Sequence, residues 1–199
     1  PYTDLDEMLE KEKPGIVDVC VWDRFHRDVA VKAMEAGADV ITEKTMASTV
    51  EEALDMIETS KRTGRRLMVS YNYRFLLHNL KLHELIEKGE LGDVRLIAAA
   101  CHWNHGTHMI DMMRYFGGEV AEVTGAEFVE DREIVNLWNN KPYGPVVTTA
   151  ACLRYESGAL GTLTITLYPE FEGGYFKFDI IGTKKRAAVI GNCSLTIYE

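Results

Sequence analysis

The sequence predicts an α/β domain over residues 1–73, built on a parallel sheet, followed over residues 74–199 by an α+β domain with an open, mainly antiparallel sheet. Three observations carry this. As far as Tyr71, short apolar runs alternate strictly with helix-length segments, the pattern of βαβ crossovers. Two more helical segments then flank one short strand. From Val120 onward strand patterns dominate, and residues 175–180 alternate between Tyr175, Lys177, Asp179 and Phe176, Phe178, Ile180, the signature of a sheet with one apolar face.

Residues 3–13 read as a helix capped by Thr3 or Asp4, with Leu5, Met8 and Leu9 at helical spacing and Pro14-Gly15 as the stop. Ile16, Val17, Val19 and Val21 form a nearly continuous apolar run, expected of a parallel strand covered on both faces. A helix over 26–36 groups Val29, Ala30, Ala33 and Met34 on one face and ends at Gly37. Strand 40–44, helix 50–63 capped from Ser48 or Thr49, and strand 67–71 complete the first domain. The second holds helix 76–88 ended by Gly89, strand 94–100, and helix 107–116 stopped by Gly117-Gly118. Strands follow at 120–128, 146–155, 159–168, 175–181, 187–190 and 194–198, with Ser157-Gly158 as a hairpin turn.

The composition is that of an ordinary globular protein, with 46% hydrophobic and 27% charged residues. No apolar run approaches the roughly 18 residues needed to span a bilayer, and the start lacks the basic and apolar regions of a signal peptide. A cytoplasmic protein without a membrane partner is expected. A net charge of −9 and the absence of a long basic stripe argue against nucleic acid. Cys20, Cys101, Cys152 and Cys193 are widely spaced without CxxC pairing, so they are expected to be reduced and at least partly buried.

The run Ala38 to Glu43 delivers Lys44 to a strand's carboxyl end, where parallel sheets place their ligands. Around it, in order, stand Trp22-Asp23-Arg24-Phe25-His26, Glu43-Lys44-Thr45-Met46-Ala47, Tyr71-Asn72-Tyr73-Arg74-Phe75, and Gly106-Thr107-His108-Met109-Ile110-Asp111. In this order and separation the segments resemble the Gfo/Idh/MocA family of nicotinamide-dependent sugar and polyol oxidoreductases, whose pattern reads EKP, a YxYRF-like strand end, then HxxD. The resemblance covers nearly the whole chain. It makes residues 1–73 the later part of a Rossmann-type nucleotide-binding domain and residues 74–199 a substrate-binding and oligomerisation domain. The glycine-rich phosphate turn such a domain uses occurs nowhere in these residues, so it is expected upstream of Pro1, with this chain a truncated form.

The resemblance implies NAD or NADP as cofactor and a small-molecule substrate with a secondary alcohol or ketone. Lys44 would orient the substrate hydroxyl and stabilise developing alkoxide charge. His108 would be the general base that takes the hydroxyl proton as hydride leaves. Asp23 and Glu43 join Lys44 on the cofactor side, while Tyr73, Arg74, Asn104 and Asp111 assist on the substrate side. Arg74 would bind a substrate acid bidentately or pair with an internal one, and His26 has a structural role. Three departures from the family pattern stand out. Asn104 occupies the position of an aspartate that in dehydrogenases precedes the histidine by four residues, Thr45 replaces proline, and the stretch from Gly92 to His108 is short.

Two other readings stay open: a non-catalytic relative that uses its sheet for self-association or ligand sensing, and a metal-dependent enzyme using His102, His105 and His108 with Asp111. Aromatic residues concentrated in the late strands, namely Tyr168, Phe171, Tyr175, Phe176 and Phe178, predict a sheet face covered by a second subunit, hence a homo-oligomer through the C-terminal sheet.

Overall fold

The structure, a computed structural model, describes residues 1–135, 142–167, 175–191 and 194–199. The chain divides into two compact units, Pro1–Tyr71 and Asn72–Glu199.

The first unit alternates α1 (Leu5–Glu12), β1 (Ile16–Val19), α2 (His26–Glu35), β2 (Asp39–Thr42), α3 (Val50–Thr63) and β3 (Leu67–Val69). Asp4 caps α1 by accepting the Glu7 N–H at 2.8 Å. A capping box starts α3: the Thr49 hydroxyl accepts the Glu52 N–H, and the Glu52 carboxylate accepts the Thr49 N–H. Gly64, at φ +69°, ends it in a conformation that favours glycine. The three strands are parallel in the order β1-β2-β3, so β2 is central.

The expectation that the first strand is covered on both faces is corrected here. Val17 and Val19 are buried, while Ile16 remains 60% exposed. The cause is one-sided packing: Ala30, Ala33 and Met34 of α2 and Met56 of α3 close over Val17, Val19 and Val40. Ile16 and Asp18 point to the opposite face, which no element of this unit covers.

The second unit opens with a single 3-10 turn, Asn72–Phe75, then α4 (Leu77–Glu87), β4 (Val94–His102), a second turn at Trp103–His105, and α5 (Gly106–Gly117). Strands β5 (Val120–Val135), β6 (Pro142–Tyr155), β7 (Leu160–Thr166), β8 (Phe176–Gly182), β9 (Arg186–Ile190) and β10 (Ser194–Tyr198) complete it. They form a seven-stranded sheet in the order β10-β9-β8-β4-β7-β6-β5, antiparallel throughout except for the β4–β7 pair. Helices α4 and α5 share one face of it. Leu82, Leu91, Ile97 and Ile180 are wholly buried there, each contributing about 1.5–3 kcal/mol of burial. Gly117 is fixed by contact, since a Cβ there would lie 2.5 Å from the Tyr155 ring.

Two further expectations are corrected. Phe176 and Phe178 are buried within the protein's own fold, their rings tilted against those of Tyr73 and Phe116, because alternate β8 residues point to the helix-covered side. Tyr175 is 64% exposed, and Tyr168 and Phe171 lie outside the described residues. Cys101 is buried under α5 and burial pushes its thiol up to about 12, but Cys20, just past the end of β1, and Cys152, on the face of β6 turned away from the helices, are exposed. Cys193 lies outside the described residues.

Candidate active site

In the first unit the parallel strands send their carboxyl-terminal loops off the same edge. Lys44 follows the central strand by two residues, and its backbone N–H lies 3.3 Å from its neighbour's carboxylate at Glu43. Asp23 opens a one-turn helix after β1, with its carboxylate accepting the Arg24 N–H at 2.9 Å. His26, wholly buried, ties these two loops together: Nδ1 is 2.7 Å from the Thr45 carbonyl and Nε2 is 3.0 Å from the Val21 carbonyl. The backbone beside Lys44 is therefore anchored through a side chain from the preceding loop. The Lys44–Thr45 peptide is cis.

In the second unit the central strand β4 ends at His102, and a tight turn carries the chain into α5, whose first turn presents His108. The ring of Tyr73 stacks on His108 at 4.1 Å between centroids and 13° between planes. Its hydroxyl is 2.6 Å from His105 Nδ1. Burial, with a smaller contribution from Cys101, pushes the Tyr73 phenol above its ordinary range, so it keeps the proton with which it can donate. Arg74 grips Asp111 through two parallel bonds, Nε to Oδ2 at 2.8 Å and Nη2 to Oδ1 at 2.6 Å, and lies over the Tyr115 ring. Of the two roles foreseen for Arg74, the structure shows the pairing with an internal acid. Asn104 directs its amide oxygen to His102 Nδ1 at 2.7 Å.

The metal reading of the histidines is corrected. His102, His105 and His108 belong to a strand end, a 3-10 turn and an α-helix, so a spacing of three does not place them on one helix face. Their rings enter aromatic contacts instead: His108 stacks on Tyr73, His105 lies parallel to Tyr175 at 5.7 Å and 9°, and His102 meets Trp103 and Tyr175 tilted or edge-on. Among the described residues no group of three or more His, Cys, Asp or Glu is placed to hold a metal ion. The link between Tyr73 and His105 was missed by sequence reasoning, because nothing in a 32-residue separation announces it.

Residues 1–71 match the family model described as the oxidoreductase family, NAD-binding Rossmann fold, and residues 98–188 match the GFO/IDH/MocA C-terminal domain. The chain belongs to the Gfo/Idh/MocA oxidoreductase family. Among its Gfo/Idh/MocA relatives, D-glucoside 3-dehydrogenase of Escherichia coli (strain K12) is 36% identical over 98 residues, 49% of this chain and 28% of that protein. Levoglucosan dehydrogenase of Pseudarthrobacter phenanthrenivorans is 24% identical, with 92% of this chain and 57% of that protein covered. The fold of an NAD-binding oxidoreductase from Klebsiella pneumoniae superposes with a TM-score of 0.87 at 19% identity, covering 100% of this chain and 60% of that one. The chain thus spans from about a quarter to 60% of the length of these relatives.

Proposed function

We propose that the protein is an NAD(P)-dependent oxidoreductase, moving a hydride between nicotinamide and a secondary alcohol or ketone of a sugar, polyol or similar small molecule. The observation that carries this reading is His108, set in the first turn of α5 against Tyr73, with Asp111 one turn on held by Arg74. The two relatives above are, by their names, dehydrogenases of sugar derivatives, which supports the substrate class.

The donor set suits a nicotinamide nucleotide. Asp23 and Glu43 offer carboxylate acceptors for ribose hydroxyls, and Lys44 beyond the central strand offers a cationic donor. Bound nicotinamide supplies hydride acceptance or donation. Lys44 holds the substrate oxygen and stabilises charge building on it. His108 takes the hydroxyl proton in oxidation and returns it in reduction. Tyr73, Arg74, Asn104 and Asp111 shape the substrate side. NAD is the cofactor we favour over NADP, from the description of the matching domain.

Nucleotide binding is tested by titrating NADH and NADPH against this chain and the full-length gene product, following nicotinamide fluorescence, then scanning a sugar and polyol panel for NADH formation. Tight NADH binding with turnover of a sugar is the expected result. Binding of neither nucleotide by the full-length product would overturn the reading in favour of a non-catalytic relative.

The reading places the protein in the cytoplasm, where unpaired cysteines suit a reducing compartment. Among the described residues no helix is long and apolar enough to cross a membrane. It also makes the protein a homo-oligomer that does not bind nucleic acid. The support is the sheet face opposite α4 and α5, which presents Ala98, Ala100, Ala150, Cys152, Thr162 and Thr164, small side chains that let a second sheet approach. Sedimentation equilibrium is expected to give at least a dimer, and Thr164→Glu, placing charge on that face, is expected to shift it toward monomer.

A further inference from the structure

A general base that becomes imidazolium during oxidation needs something to steady that charge. The amide oxygen of Asn104 is bonded to His102, and both oxygens of Asp111 are bonded to Arg74. Facing the His108 ring is the phenol of Tyr73, at 4.1 Å and 13°. We propose that Tyr73 is the positioning residue of His108: its ring face orients the imidazole and stabilises the imidazolium, while its hydroxyl fixes His105 in one tautomer as a further hydrogen-bond donor. The proposal rests on the dehydrogenase reading above.

The physics is that of a cation over an aromatic face. The π-face of tyrosine carries negative potential, and a near-parallel ring presents that face to the whole imidazole. Tyr73 is held firmly enough to do this. Its backbone carbonyl accepts the side-chain N–H of the fully buried Asn79 at 2.8 Å, and its ring packs on Phe176 at 5.0 Å. A protonated phenol can donate to His105 Nδ1, and in that arrangement the proton of a neutral His105 sits on Nε2. Among the described residues, the titratable and charged groups around the pair include Arg74 on Tyr73's own turn, His105 and Asp111 flanking His108, Cys101 and His102 on β4, and Tyr175 before β8.

The test uses full-length protein with labelled histidines, following His105 and His108 by NMR from pH 5 to 9. Signals are assigned by their loss in His105→Gln and His108→Gln. In Tyr73→Leu the His108 midpoint is expected to fall by about 0.4–1.5 pH units, the loss of one cation–π contact. The pH limb of the oxidation rate moves down with it, and kcat falls more than KM rises. Tyr73→Phe keeps the ring, so His108 stays in place while His105 shifts. An unmoved His108 midpoint in Tyr73→Leu overturns the proposal. Should that variant not fold, Tyr73→Phe decides: a shifted His105 with a fixed His108 supports it, and any other pattern overturns it. The titration needs no turnover, so an inactive wild type showing the expected shifts would sink the dehydrogenase reading alone.

Discussion

His108→Gln is expected to lower kcat and kcat/KM together by about 10²–10⁴-fold, the usual contribution of a positioned general base. Glutamine keeps the polar volume but cannot take a proton near neutral pH, so the loss falls on the chemical step. Lys44→Met should cost about 10²–10³-fold by removing a cation from the developing alkoxide. Both losses are to be measured by stopped-flow NADH formation, with nucleotide affinity followed in parallel by fluorescence. NADH quenching should persist in His108→Gln, whose residue lies in the C-terminal unit outside the nucleotide-binding match. If both variants turn over substrate at the parent rate and KM, neither residue is catalytic and the non-catalytic reading takes their place.

Much of the fold was legible because its local signals agree. Asp4, the Thr49–Glu52 capping box, Gly64 and Gly118 mark helix ends by mechanisms that act within a few residues. The Lys44 position was legible for the same reason, since an apolar strand followed by a capped helix fixes a strand-end loop. What escaped were features set by partners far away in sequence. That Val17 is buried and Ile16 is not depends on which side α2 and α3 take, which an unbroken apolar run does not encode. Phe176 and Phe178 looked like an exposed aromatic surface until α5 was seen to lie over them. The histidine cluster shows the same limit. Equal spacing suggested a metal, whereas three different backbone conformations separate the rings and Tyr73 claims His105 from the other side of the sequence.

Arg74→Met is expected to destabilise the second unit by about 2 kcal/mol, visible as a melting temperature lower by roughly 5–8 °C. The reasoning turns on asymmetry of burial within the pair. The Asp111 side chain is only 10% exposed and accepts from the guanidinium with both oxygens, while Arg74 is 40% exposed. Removing the arginine strands a nearly buried carboxylate on α5 without its cation. A completely buried pair would cost about 3–5 kcal/mol when broken, and the solvent reaching Arg74 reduces that. Methionine preserves the stem that lies over Tyr115, which confines the loss mainly to charge. The double variant Arg74→Met with Asp111→Asn should recover part of the stability, because the orphaned charge is gone. Arg114→Met supplies the contrast: its partner Glu119 is 62% exposed, and a surface pair of this kind contributes about 0–1 kcal/mol. Equal melting temperatures for Arg74→Met and Arg114→Met would show that the Asp111 carboxylate finds compensation elsewhere. A clear gap between them would show that Arg74 steadies α5 through its fork on Asp111, beyond what a surface pair on the same helix contributes.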